Sequence, residues 1–147
     1  MSVRVQREDF DIGTEVKRLT AGRTDIGAVV TFTGTVRGDD GLASMALEHY
    51  PGMTEDELAR VEAEATARWP LLASLIVHRV GTLAPGDNIV LVVTASLHRQ
   101  AAFEAAEFLM DYLKTRAPFW KRELTTDGTE RWVEPRESDD RAAVRWK

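Results

Sequence analysis

The sequence predicts an α+β domain with a mixed, mostly antiparallel sheet, and three observations carry that prediction. Apolar residues recur at steps of three and four in some stretches and alternate or run together in others, so both helices and strands are present. The two kinds follow one another without the strict strand–helix–strand rhythm of a parallel doubly wound sheet. Two pairs of strand-like stretches are joined by the short turns LAPGD and TTDGT, as antiparallel neighbours are. A chain of 147 residues suits one domain over 1–147, able to bury roughly two thirds of its unfolded surface around a single core.

The elements follow in order. Val3 and Val5 alternate with polar residues as a short strand does. Ile12, Val16 and Leu19 then take helical steps behind Asp11, a capping residue, and Gly22 is placed to end that helix. GAVVTFTGTV at 27–36 is β-branched and apolar, which predicts a central strand, and RGDDG at 37–41 turns the chain, leaving Arg37 at a strand end. Met45 to Tyr50 alternate as a second strand, stopped by Pro51 and Gly52. Thr54 to Glu57 reads as a capping box for a helix that turns Leu58, Val61 and Ala65 inward and stops before Pro70. Residues 74–81 and 88–96 are strands, the second apolar enough to be buried on both faces. A long helix covers about 99–115, with Phe103, Ala106, Met110 and Leu113 as its core stripe and Glu104, Glu107 and Asp111 facing away. Pro118 ends it, and Phe119–Leu124 and Arg131–Val133 form a hairpin around Asp127 and Gly128. The tail from Glu134 is polar, but Trp146 near its end is expected to dock.

Composition excludes several classes. Lys plus Arg is 19 against 24 Asp plus Glu, a net charge of −5, so general binding to nucleic acid or to an anionic membrane is not expected. There is no Cys, hence no disulfide, thiolate nucleophile or zinc finger. The N-terminus MSVRVQREDF lacks the apolar centre of a signal peptide, which predicts the cytoplasm. No apolar run approaches the ~20 residues of a membrane helix. GxGxxG, GxxxxGK[ST], HExxH and GxSxG are all missing. The three histidines share no metal-ligand spacing, and neither a metal nor a cofactor is expected.

What remains is a local excess of positive charge. Between Lys114 and Arg122 lie four cations and no acid. Lysines and arginines in a last helical turn offset the helix dipole and need no function. Lys121 is harder to read that way, because it stands between Trp120 and Arg122 just after Phe119, and an amine held among apolar groups gives up its proton more readily. His98 and Arg99 open the same helix, where free backbone donors already favour an anion such as phosphate, though a plain helix start explains them equally well. His78 reads as structural, and so, less firmly, does His49. Lys114 and Lys121 near Arg37, His98 and Arg99 would suit an anionic substrate and acid–base or acyl chemistry by lysine.

VVTFTGTVRG, LEHYPGMTE, HRVGTLAPGD, SLHR, and above all FLMDYLKTRAPFWKRE with RWVEPRESD, resemble the large, catalytic subunits of molybdopterin synthase, the MoaE family. The resemblance runs over nearly the whole chain. It implies an α/β-hammerhead fold and a homodimer at the centre of a heterotetramer with a ubiquitin-like small subunit at each end. It also implies the transfer of two sulfurs from that subunit's C-terminal thiocarboxylate to cyclic pyranopterin monophosphate, which makes the dithiolene of molybdopterin. Carried over by residue, it makes Lys114 and Lys121 catalytic and Phe32, Arg37 and Met110 substrate-binding, with His98 and Arg99 supplied to the pocket by the neighbouring large subunit. Two other classes fit the residues alone: a binding module that holds a nucleotide or peptide tail in a basic pocket, and a lysine enzyme that forms a Schiff base with a carbonyl substrate or pyridoxal phosphate.

Overall fold

In the computed structural model, which describes residues 2–38, 41–133 and 137–146, eight strands form two four-stranded sheets rather than one. β1 (Ser2–Gln6), α1 (Ile12–Thr20), β2 (Ala28–Thr35), β3 (Leu42–His49), α2 (Met53–Arg68), β4 (Leu71–Arg79), β5 (Gly81–Leu83), β6 (Asn88–Ser96), α3 (Arg99–Thr115), β7 (Phe119–Thr125), β8 (Glu130–Val133) and α4 (Glu137–Val144) follow in order. The first sheet has the order β1-β4-β6-β2, with β1 parallel to β4 and the other pairs antiparallel. The second is wholly antiparallel, in the order β5-β3-β7-β8.

The first sheet carries the core because β6 is apolar on both faces, as its composition predicts. Val90 and Val92 pack with Ile76 against Leu58, Val61 and Ala65 of α2 and Phe108, Leu109 and Tyr112 of α3. Leu91 and Val93 face the other way, with Leu75 and Val77, against Phe10 and the Val16 and Leu19 side of α1. Period-two alternation on a strand covered on both sides accounts for this split. Asp11 caps α1 as expected, Oδ1 accepting from the Thr14 amide at 2.8 Å, and Gly22 follows its end at φ +71°.

Several expectations are corrected. β2 is an edge strand, paired with β6 on one side only, and Phe32 is 41% exposed. The stretch expected at 74–81 is divided: β4 ends at Arg79, and Gly81, at φ +96°, starts β5 in the second sheet. Thr54 does not cap α2. The N-cap is Gly52, whose amide donates to Glu55 Oε1 at 3.1 Å, because the positive φ of Gly52 already turns the chain into the helix. On α3 the core stripe is Ala102, Ala105, Phe108, Leu109 and Tyr112, with Ala106 and Leu113 also buried, while Phe103 is 60% exposed. The turn expected at 37–41 falls partly on residues outside those described. The hairpin at 119–133 forms, with Gly128 at φ +87°.

Trp146 docks. Its ring meets Trp69 and Phe108 edge-on, with centroids 5.6 Å away in each case, and its indole N–H donates to Asp111 Oδ2 at 2.6 Å. The short helix α4 before it was not foreseen in so polar a stretch. Phe108 is the centre of this aromatic group and is fully buried. Phe108→Ala is therefore expected to lower the unfolding free energy in urea by about 3–5 kcal/mol, the range for emptying an aromatic site in a packed core.

Candidate active site

The site is built around the corner where α3 gives way to β7. Pro118 cannot continue a helix, so α3 ends with the Arg116 amide bonded to the Tyr112 carbonyl at 2.7 Å, and the chain reverses through 117–119. The corner is tied down twice. Thr54, fully buried, donates its hydroxyl to the Pro118 carbonyl at 3.1 Å and accepts from the Tyr50 amide at 3.0 Å. The Phe119 ring stacks on His78 of β4, with centroids 3.8 Å apart and planes 18° off parallel. Two different sheets thus meet at Phe119.

The four cations of this stretch divide by role. Arg116 is committed to α2, reaching Glu57 at 2.9 Å and Glu64 at 3.2 Å across the Tyr112 ring. Arg122 lies over Trp132 and 4.0 Å from Glu48. Arg116, at the end of α3, is thus accounted for by its ion pairs alone. Lys114 is exposed at the end of α3, and Lys121 is half-buried on β7. Register places Phe119 opposite His49 and Lys121 opposite Leu47, so Lys121, Phe119 and His49 share one face of the second sheet. Trp120 and Arg122 take the other face.

His78 records how close these groups are. Burial of its ring, helped by the positive charge of Lys114, holds its pKa down at about 4, while its Nδ1 is 2.8 Å from the Arg79 carbonyl. At neutral pH it is an uncharged imidazole whose Nδ1–H donates to that carbonyl. Between about pH 6.5 and 4 the unfolded chain takes up the proton and the folded chain does not, so stability falls as the pH is lowered through this window. Replacing His78 by Phe is expected to remove on the order of 2 kcal/mol of that acid sensitivity, measured as the difference between urea midpoints at pH 7 and pH 4.5.

The remaining residues separate into two places. α3 follows β6 after a two-residue turn and packs against both β6 and β2, so it runs back along β6 and in the same direction as β2. The end of β2 and Arg37 beyond it therefore lie toward the Lys114 end of α3. Val30 of β2 and Met110 of α3 pack on the same core cluster, and Phe32, two residues after Val30, shares its face of the strand. Phe32, Arg37, Met110, Lys114 and Lys121 thus belong to one end of the domain. His98 and Arg99, both exposed, stand at the other end, 15 helical steps from Lys114, or roughly 22 Å. Within one chain they are not brought to the lysines.

Sequence reasoning left out His49, His78 and Thr54 as parts of this corner. No local signal marks them, since each arrives through pairing between distant strands or between the sheets. An open cleft of about 580 Å³ between the sheets, lined by Arg7, His49, Gly81, Thr82 and Arg122 among others, meets the corner at His49 and contains neither lysine. Among the described residues no three His, Asp or Glu side chains converge as metal ligands, and no helix is long and apolar enough to cross a membrane.

Fold and corner together define a class: a two-sheet α+β domain whose lysine-bearing helix end lies close to a neutral imidazole, with local positive charge suited to an anion. The comparisons narrow it. A family model described as "MoaE protein" matches residues 5–116. The molybdopterin synthase catalytic subunit of Mesorhizobium japonicum is 60% identical over 148 aligned residues, covering 99% of this chain and 93% of its own length. The molybdopterin biosynthesis MoaE protein of Burkholderia ambifaria superposes with a TM-score of 0.85 at 55% identity, covering 99% of this chain and 97% of its own. The molybdopterin synthase of Staphylococcus aureus does so at 0.80 and 32% identity, covering 88% and 95%. The chain belongs to the MoaE family.

Proposed function

We propose that this chain is the catalytic subunit of a cytoplasmic molybdopterin synthase, a sulfurtransferase of molybdenum cofactor biosynthesis. It takes sulfur from the thiocarboxylated C-terminus of a ubiquitin-like small subunit and places two sulfurs on cyclic pyranopterin monophosphate to form the dithiolene. The names of its full-length relatives support this reading, and the carrying observation is the corner itself, which sets Lys114 and Lys121 about His49, His78 and Phe119. A thiocarboxylate and a phosphorylated pterin are both anions, and a cationic corner draws them together by charge. Lys114 and Lys121 then move protons as the pterin ring opens and as water releases the spent carboxylate. Phe32 and Met110 supply apolar wall, and Arg37 supplies charge for phosphate. Incubating the chain with thiocarboxylated small subunit and the pterin precursor tests this. Dithiolene product is expected, and its absence with verified reagents overturns the reading.

His98 and Arg99 can serve the same pocket as the lysines only from a second copy, and the open edge of β2 offers a place for one. β2 has one open side, flanked by exposed Val29, Phe32, Leu97 and Phe103. Pairing β2 antiparallel with β2 of another copy about a twofold axis would continue the sheet. Because α3 packs on both β6 and β2, its axis is set back from β2 by about half a strand spacing, so the two copies of α3 would lie roughly 10 Å apart, the distance at which helices pack. They would also run in opposite directions. His98 and Arg99 of one copy would then stand near Lys114 of the other, and the exposed Phe103 would be covered.

A further inference from the structure

With the apolar patch along β2 and the start of α3 given to a second copy, another remains on the outer face of the second sheet. Register puts Glu48, Trp120, Arg122 and Trp132 on the face opposite Lys121, and Tyr50 continues it beyond β3. Tyr50 and Trp120 meet edge-on with centroids 4.0 Å apart, and the Arg122 guanidinium lies 5.6 Å over Trp132. Trp132 is nonetheless 60% exposed, and Met53, three residues beyond Tyr50, is 62% exposed. Together Glu48, His49, Tyr50, Trp120 and Trp132 line an open hollow of about 510 Å³.

Large aromatics with one arginine, left uncovered, have the composition of an interface hot spot rather than of a solvated sheet face. The face belongs to a short four-stranded sheet on which Glu48 and Arg122 stand 4.0 Å apart and offset one another, so they give it no charge bias toward a polyanion. Its distinguishing property is continuity with the lysine corner. Trp120 precedes Lys121 on β7, and His49 lines the hollow while standing opposite Phe119 in the register of the corner. A protein body seated on Tyr50, Trp120 and Trp132 would be one sheet's thickness from Lys121, so a tail leaving it would need only to round the end of β3 to reach the corner.

We propose that Tyr50, Trp120 and Trp132 form the docking surface for the body of the sulfur-donating small subunit, with Arg122 held by Trp132 as its polar anchor. The inference rests on the function proposed above for the corner. It also assigns the two uncovered apolar patches to two different partners, a second copy and the donor.

Trp132→Ala removes an exposed ring and should leave the fold intact, which sedimentation as the wild-type oligomer would verify. Calorimetric titration with the purified small subunit is expected to show affinity lowered at least ~10-fold, as for the loss of an aromatic hot spot, with Trp132→Tyr recovering most of it. Lys17→Ala, an exposed change on α1, is expected to bind within about twofold of wild type. Wild-type affinity in Trp132→Ala overturns the proposal, and so does a shift of that variant to monomer, which would make this the face between copies. A wild-type pair that bound through Trp132 but formed no dithiolene would leave the docking surface standing and remove the proposed reaction instead.

Discussion

Lys114→Ala and Lys121→Ala are each expected to slow dithiolene formation by ~10²-fold or more, the usual cost of removing a positioned acid–base group. The expectation follows from where the side chains stand. Lys114 is exposed at the end of α3, so its removal empties no core, and Lys121 lies on a strand whose pairing with β3 and β8 is made by backbone. Neither change should shift the urea midpoint appreciably, so a fall in rate would report chemistry. Single-turnover assays with saturating small subunit separate that fall from weakened binding. Wild-type turnover in either variant would remove that lysine from the mechanism. Arginine at either position keeps the charge but cannot readily give up a proton, so Lys→Arg variants that stayed as slow as alanine would point to proton transfer over simple attraction.

The second large effect is a recovery. Arg99→Ala and Lys121→Ala are each expected to be weak as homodimers, since every pocket then lacks one group. If a pocket takes Arg99 from one copy and Lys121 from the other, a mixed dimer holds one pocket with both defects and one with neither. Random pairing of equal amounts makes half the dimers mixed, and half of their pockets are whole, so about a quarter of wild-type activity should return on co-refolding. Mixtures that stay as slow as their parents after verified chain exchange would place the whole pocket within one copy. The roughly 22 Å that α3 puts between Arg99 and Lys114 is the physical reason to expect recovery.

How far such features can be read from sequence depends on where their partners lie. The turn itself was legible because helix, Pro118 and strand are consecutive, so local rules put Lys114 in the last helical turn and Lys121 on the strand after it. β6 was legible because both its faces are covered by the same chain. β2 has the same composition, and its apolar residues misled for a definite reason: the side read as buried is left open in the isolated chain, and the proposed cover is a second copy. Phe103 misled in the same way, fitting a helical stripe by spacing while standing beside the true one. Thr54 resembled a cap but spends its hydroxyl on the Pro118 carbonyl, a bond across 64 positions that no local pattern encodes. His78 could be recognised as structural. That it stacks on Phe119 and feels the charge of Lys114 depends on the docking of two sheets.

The length of α3 has a consequence for how this protein can change over time. One unbroken helix packs the core along its flank while holding His98 and Arg99 at one tip and Lys114 at the other. Inserting or deleting a single residue within it would turn Lys114 by about 100° and slide it by ~1.5 Å, and would rotate Phe108 and Tyr112 out of their seats as well. Exposed turns such as the one at Asp127 and Gly128 have no such duty and can tolerate gain or loss of residues. Descendants of this chain are therefore free to drift in side chains and loop lengths, whereas the spacing from Arg99 to Lys114 works as a ruler that can be kept or lost, but not gradually redrawn.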